Sequence, residues 1–87
     1  MNKQIENIFE QVEAEYLRAR SKFYMFNSAH EGYAVILEEL DELWDSVKAN
    51  DISHAKKEAI QVMTMAMAFI LEVQRPEQVQ RKQEIAP

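Results

Sequence analysis

Apolar residues in the first quarter of the chain recur at steps of three and four, the spacing that places side chains on one face of a helix. The stripe comprises Ile5, Ile8, Phe9, Val12 and Tyr16, and it extends to Ala19 and Phe23. Charged and amide residues fill most of the intervening positions. The pattern therefore predicts a first helix over about residues 3–23, with one face suited to burial.

A second and more regular apolar pattern begins after a break at residues 24–27. Ser28 is a typical N-cap, and Glu31 three residues later completes a capping box, in which two side chains satisfy helix-end amides reciprocally. The predicted helix continues to about Ala49. Its apolar stripe has a period of 3.6 residues and comprises Tyr33, Ile36, Leu37, Leu40, Leu43, Trp44 and Val47. We expect this stripe to be packed, which favours a core position for Trp44.

A third helix is predicted after a short turn at residues 49–53. Asp51 or Ser53 caps its first turn, because a short polar side chain before an apolar helical run is a typical start signal. The helix ends near Gln74, since Pro76 has no amide hydrogen and disfavours helical geometry in the residue before it. Helices two and three are therefore expected to form an antiparallel hairpin.

The third helix is apolar on nearly every side. Residues 59–71 include only two polar side chains, Gln61 and Thr64. A helix with this composition is normally buried all round. Because two partner helices from one 87-residue chain cannot surround it, we expect another subunit to cover part of its surface.

These elements predict an all-α fold, a helical hairpin plus an N-terminal helix. One glycine and two prolines are too few for a loop-rich domain, and there is almost no alternation of apolar and polar residues typical of strands. Residues 1–75 form a single domain in this interpretation. For the polar tail, residues 76–87, two alternatives remain: a short helix packed on a neighbour, or a frayed end.

Charge and composition narrow the classes of partner. The formal net charge of −5 argues against a nucleic-acid polymer, which requires a basic face. It is compatible with a small phosphorylated ligand that arrives with its own cation. Because the chain has no cysteine, disulfides and thiolate metal sites are excluded. No apolar signal segment and no run of about 20 apolar residues is present, so we expect a cytoplasmic protein without a membrane partner.

The second helix concentrates negative charge. Residues 31–48 contain one base, Lys48, and six acids, namely Glu31, Glu38, Glu39, Asp41, Glu42 and Asp45. Glu39 and Glu42 lie on one flank of the helix, one turn apart. Like charges at this spacing destabilise a helix by about 0.2–0.5 kcal/mol per pair. Solvent, another helix or a cation must offset this cost, and a hard divalent ion such as Mg²⁺ prefers carboxylate ligands.

Complementary residues lie in the first half of the third helix. Glu58 has His54 one turn before it and Gln61 one turn after it on the same face. Lys56 and Lys57 flank Glu58 near the helix N-terminus, where basic groups and backbone amides suit phosphate oxygens. The antiparallel hairpin is expected to bring Glu58 towards the paired acids of helix two. We interpret His54 as a surface residue despite its register.

Two segments on either side of the turn resemble a known family. Residues 38–43 read EELDEL and residues 57–62 read KEAIQV. They are similar to the MazG-like all-α nucleotide pyrophosphohydrolases, whose signature is Glu-x-x-Glu on one helix and Glu-x-x-Asp on the next. Glu39, Glu42 and Glu58 occupy three of the four signature positions. The resemblance covers about half of the chain.

The fourth signature position departs from the family. It is occupied by Gln61 instead of aspartate. An amide oxygen can bind Mg²⁺ but supplies no negative charge. The departure predicts weaker metal binding, whereas it leaves the expected fold unchanged.

The resemblance implies a homodimer or homotetramer whose helices assemble into four-helix bundles. It implies Mg²⁺, with Mn²⁺ as an alternative, held by Glu39, Glu42, Glu58 and Gln61. The implied reaction is hydrolysis of a nucleoside triphosphate, ribo or deoxy, to the monophosphate and pyrophosphate. Proteins of this group are frequent in bacteria and their phages.

Further roles are expected around such a site. Glu38 or Glu42 would orient or deprotonate the attacking water. Lys56 and Lys57 would bind a phosphate, and an aromatic side chain, Trp44 or Phe26, would stack on the base. Two other functions remain open: a non-catalytic nucleotide- or metal-binding protein on the same scaffold, and a helical adaptor or assembly module.

Overall fold

The computed structural model describes residues 2–75, and within that range it is all-α without strands. The three helices are α1 (Lys3–Arg20), α2 (Ala29–Lys48) and α3 (Ile52–Glu72). Helix α3 packs against both α2 and α1, which confirms the predicted hairpin with an N-terminal helix. The predictions for residues 76–87 lie outside the described residues.

Helix α1 is shorter than predicted. Its N-cap is Asn2, whose side chain accepts hydrogen bonds from the amides of Gln4 and Ile5. It ends at Arg20, where the Ser21 hydroxyl donates to the Arg18 carbonyl at 2.6 Å. Side chains that bond nearby backbone groups in this way compete with helix continuation. The predicted extension to residue 23 is therefore wrong, and residues 21–28 form a connection.

The predicted cap of α2 is confirmed with one difference. The amide of Glu31 donates to the Ser28 hydroxyl at 3.1 Å. The Glu31 carboxylate accepts from the amide of Asn27 instead of the Ser28 amide. Glu31 therefore secures the entry of the chain into α2, which agrees with its predicted capping role.

A tight turn joins α2 to α3. The amide of Asn50 donates to the Val47 carbonyl, and the amide of Asp51 donates to the Ser46 carbonyl, both at 3.0 Å. This is the bonding pattern of a Schellman motif, which requires a left-handed residue, here Asn50 with φ of 58°. Asp51 then caps α3 by accepting from the His54 amide at 3.0 Å. The turn fixes the antiparallel hairpin.

The core lies where the connection meets α2 and α3. Phe26, Met65 and Ala68 are buried and contact half-buried apolar residues from all three helices. Gly32 allows the close approach: a Cβ atom built there would lie 2.6 Å from the Phe69 ring. Side chains larger than glycine do not fit at this position without moving that ring.

Glu72 is a buried carboxylate that the sequence analysis did not single out. It accepts hydrogen bonds from the Tyr16 hydroxyl at 2.8 Å and from the Phe26 amide at 2.9 Å. Arg20 donates from Nε at 2.5 Å and from Nη2 at 2.7 Å. The burial of Tyr16 and the charge of Glu72 raise the pKa of the tyrosine. This network joins the end of α1, the connection and the end of α3.

Within residues 2–75, the predicted apolar stripe of α2 is mostly exposed. Helix α2 turns a neighbouring face inward, with Gly32 and Ser46 buried and six further residues half-buried, namely Ala29, Glu31, Val35, Ile36, Glu39 and Leu43. The exposed residues of the stripe are Tyr33, Leu37, Leu40, Trp44 and Val47. The core position expected for Trp44 is therefore wrong for the single chain. The physical reason is that small side chains let α2 approach α3 on a face rotated away from the stripe.

Helix α3 is covered more completely than α2. It nevertheless leaves four large apolar side chains exposed, namely Ile52, Met63, Ile70 and Leu71. No described helix is long and apolar enough to cross a membrane.

Candidate functional site

Three carboxylates from two helices converge at the centre of the hairpin. Glu39 and Glu42 lie one turn apart on α2, and Glu58 lies opposite them on α3. One carboxylate oxygen from each residue can be chosen so that all three lie within 4.8 Å of one another. We call this set the glutamate cluster. The convergence expected from the antiparallel hairpin is present.

The members of the glutamate cluster differ in their surroundings. Glu42 is exposed and Glu39 is half-buried. The Glu58 side chain is only 14% exposed, and its Oε1 is buried without a hydrogen-bond partner in residues 2–75. A buried carboxylate oxygen normally has a partner, because removing it from water is costly. Glu58 is therefore aimed at a position that a cation or a donor would occupy favourably.

The pKa values of two cluster members are displaced in the same direction. Burial raises the pKa of Glu39, and the charges of Glu42, Glu58 and Glu38 raise it further. The pKa of Glu42 is also raised by removal from water and by the Glu58 carboxylate. Both shifts mean that the cluster favours a bound proton, or an equivalent positive charge, over bare carboxylates.

The donor set fits a hard divalent cation. Three carboxylates supply only oxygen ligands, which Mg²⁺ and Mn²⁺ prefer over nitrogen and sulfur. Glu38 is exposed on the adjacent position of α2, and its charge acts on both Glu39 and Glu42. It is thus close enough to influence the site electrostatically.

His54 contacts the glutamate cluster although it is largely exposed. Its Nε2 lies 3.0 Å from Glu58 Oε2, one helical turn away. The sequence register indicated this pairing, but the surface interpretation gave His54 no part in the site. The contact holds one oxygen of Glu58 and leaves the other directed elsewhere.

Gln61 is directed towards α1. Arg18 lowers the pKa of Glu15, and a hydrogen bond from the Gln61 side chain lowers it further. The amide group predicted as a fourth metal ligand is therefore engaged with α1. Its role as a ligand stays a prediction.

In the described part of the chain, cavities adjoin this region of the hairpin, and three of them bear on the site. One of 460 Å³ contains Glu39 and Gln61 in its wall. A second, of 370 Å³, adjoins Glu42, Glu58 and His54. A third, of 390 Å³, lies between α1 and α3 and is lined in part by Lys57 and Gln61. The glutamate cluster therefore contributes to cavities on both of its sides.

The predicted substrate-binding residues are placed differently from one another. Lys57 lines the third cavity together with Arg18. Lys56 is exposed and lines none of the three cavities. Trp44 is 56% exposed, and the Lys48 ammonium lies over its ring at 5.6 Å. Phe26, the alternative for base stacking, is buried and contributes to the wall of the 460 Å³ cavity.

The comparisons with known proteins provide no relative from which a role can be transferred. Matched against protein-family models, curated proteins and solved structures, the chain is similar to none of them.

Proposed function

We propose that the protein is a Mg²⁺-dependent nucleoside triphosphate pyrophosphohydrolase. The observation that carries the proposal is the glutamate cluster, in which Glu39, Glu42 and Glu58 from two helices bring carboxylate oxygens within 4.8 Å. The resemblance of residues 38–43 and 57–62 to the MazG-like family supplies the reaction class. Water and a nucleoside triphosphate would give the monophosphate and pyrophosphate.

In this proposal the three glutamates hold the divalent ion. A bound Mg²⁺ would neutralise phosphate oxygens and the charge that develops on them in the transition state. Glu42 is exposed, so a carboxylate oxygen that the ion leaves free could accept a proton from the attacking water. Glu38 is the second candidate for this step, since it is exposed beside the cluster.

Basic residues near the cluster would hold the phosphate chain. Lys57 lines a cavity with Arg18 and Gln61 that none of the three glutamates borders, so its proposed role as a phosphate ligand rests on its position next to Glu58 in α3. Arg18 is already paired with Glu15 at 2.7 Å, so its charge is partly neutralised. Lys56 and Trp44 receive no comparable support from their surroundings.

We also propose that the protein acts as a homodimer or homotetramer. The exposed stripe of α2, from Tyr33 to Val47, advances by steps of four, three, four and three residues. This alternation is the spacing with which helices pack side by side in bundles. A second copy of the chain presents the same stripe, so an α2-to-α2 contact is self-complementary. Such a contact would complete a four-helix bundle around the two hairpins.

Pyrophosphate release tests the catalytic proposal. The wild-type chain is incubated with Mg²⁺ and each common ribo- and deoxyribonucleoside triphosphate, and pyrophosphate and monophosphate are quantified. We expect turnover of at least one nucleotide and its loss in Glu42→Gln. The matched control is Asp41→Asn, which removes one negative charge from an exposed position of the same helix. Equal turnover in all three proteins, or none in the wild type, would refute the proposal.

The exposed α2 stripe also favours a second candidate function, a helical assembly or adaptor module. Calorimetric titration with Mg²⁺ separates the two. Binding that disappears in Glu39→Gln supports a metal-dependent role, whereas the absence of binding in the wild type supports the adaptor. If Mg²⁺ and nucleotide bind without turnover, Gln61→Asp discriminates further: a gain in turnover would identify a weakened enzyme.

A further inference from the structure

The cavity of 460 Å³ beside Glu39 lies where four parts of the chain meet. The end of α1, the connection at residues 21–28, the first half of α2 and the middle of α3 each contribute to its wall. Its volume falls within the range typical of small-molecule pockets, about 300–1,000 Å³. It is therefore large enough for a drug-sized or nucleoside-sized group.

Three aromatic side chains of the connection line this cavity. Phe23, Tyr24 and Phe26 all contribute to the wall. Phe26 is buried, and the Arg20 guanidinium lies 5.3 Å from its ring centroid. Phe23 is 65% exposed, so the core does not account for its ring. Flat apolar faces at the wall of a cavity are suited to stacking with a planar heterocycle.

The wall of the cavity also includes a member of the glutamate cluster. Glu39 belongs both to the cavity wall and to the cluster. A molecule whose phosphate end lies at a cation held by the cluster could thus extend into the cavity that the aromatic rings also line. From this juxtaposition we propose that the cavity binds the heterocyclic base of the nucleotide. This inference rests on the proposed function.

A polar side chain in the cavity wall could form hydrogen bonds with the edge of the base. Gln61 lines the cavity and also lies close to Glu15 of α1. An amide offers both donor and acceptor groups, which are the groups that read the edge of a base. Gln61 would then contact the base instead of the metal, which gives a reason for an amide where the family has aspartate.

The test distinguishes binding of the base from binding of the phosphates. Binding is measured by calorimetry at fixed Mg²⁺ for two probes: inorganic tripolyphosphate, and non-hydrolysable α,β-imido triphosphates of the common nucleosides. We expect at least one nucleotide to bind about tenfold or more tightly than tripolyphosphate. Phe23→Leu should weaken that nucleotide about fivefold or more, since stacking is lost, and leave tripolyphosphate unchanged. Gln61→Leu should do the same.

Controls identify the cause of any change. Phe9→Leu alters a phenylalanine on α1 that is also exposed and does not line the cavity, so nucleotide affinity should stay at the wild-type value. The mass of each variant is measured by light scattering. An altered mass in Phe23→Leu with unchanged nucleotide affinity would mean that the ring serves self-association, which overturns the inference.

Failure of the base pocket and failure of the proposed function give different results. If tripolyphosphate and every nucleotide bind equally tightly and Phe23→Leu has no effect, the base pocket is refuted while the proposed metal and phosphate site stands. If neither probe binds in the presence of Mg²⁺, both the pocket and the proposed function are refuted.

Discussion

Removal of one carboxylate from the glutamate cluster should stabilise the protein in the absence of a cation. In Glu39→Gln the side chain keeps its shape but loses its charge. Two unit charges 4.8 Å apart repel by about 0.9 kcal/mol in bulk water, and Glu39 faces both Glu42 and Glu58. Allowing for screening by salt, we expect a gain of about 1 kcal/mol in the free energy of unfolding at neutral pH in EDTA.

The expected pH dependence follows from the raised pKa values of Glu39 and Glu42. A carboxyl whose pKa is higher in the folded state binds more protons there than in the unfolded chain. Its stabilising contribution is fully present below the unfolded pKa and is lost as the pH rises through the folded pKa. The difference in the free energy of unfolding between Glu39→Gln and the wild type should therefore be absent in acid. It should grow as the pH rises through the pKa values of the two glutamates.

At neutral pH, Mg²⁺ should make the wild type more stable than Glu39→Gln. If the dissociation constant is near 1 mM, about 10 mM Mg²⁺ adds about 1.4 kcal/mol to the wild type, and Glu39→Gln should gain much less. One kcal/mol corresponds to about 4–8 °C in melting temperature for a domain of this size. The Mg²⁺ effect should disappear in acid, because protons compete for the same oxygens.

The assay is thermal and urea unfolding followed by circular dichroism, at one protein concentration, with EDTA or Mg²⁺ at several pH values. Asp41→Asn is the matched control, since it lies on α2 outside the cluster. The reasoning is refuted if Glu39→Gln is no more stable than wild type in EDTA at neutral pH. Equal stabilisation of the wild type and Glu39→Gln by Mg²⁺ would likewise contradict a cation site at the glutamate cluster.

Three further predictions concern assembly and packing. If the proposed α2-to-α2 contact forms, the wild type should be an oligomer and Leu40→Glu a folded monomer by light scattering, since Leu40 is 47% exposed in the single chain; equal masses would contradict the proposed contact. Gly32→Ala should lower the free energy of unfolding by about 1–2 kcal/mol, because overpacking against the Phe69 ring exceeds the helix-propensity gain. Glu72→Gln should lower it by about 3 kcal/mol, because Arg20 loses a buried charged partner. Tyr16→Phe, which removes one hydrogen bond to Glu72, should cost less, about 1.5 kcal/mol; equal costs in urea unfolding would contradict the dominance of the ion pair.

Much of the candidate site was predictable because it depends on local geometry. Helical periodicity places Glu39 and Glu42 one turn apart on a common flank. The turn residues Asn50 and Asp51 form the C-terminal and N-terminal caps of successive helices, which makes the hairpin antiparallel. Glu58 must then approach the acids of α2.

Other features depend on contacts between distant segments. Glu72 follows Ala68 by one helical turn on the buried face of α3, and that register was a usable signal for its burial. Its partner Arg20 was not identifiable, since the pairing spans 52 positions in the sequence. The direction of Gln61 towards Glu15 likewise depends on how α1 lies against α3.

By itself the sequence determined three helices, the N-terminal caps of α2 and α3, and the meeting of three glutamates, because 3.6-residue periodicity and turn chemistry act over a few neighbouring residues. Only the tertiary structure decided which face of α2 turns inward. Gly32 and Ser46 let α2 approach α3 closely, so the inner face is displaced from the most apolar stripe. That displacement directs Glu39 towards the site and leaves Leu40 and Trp44 on the surface.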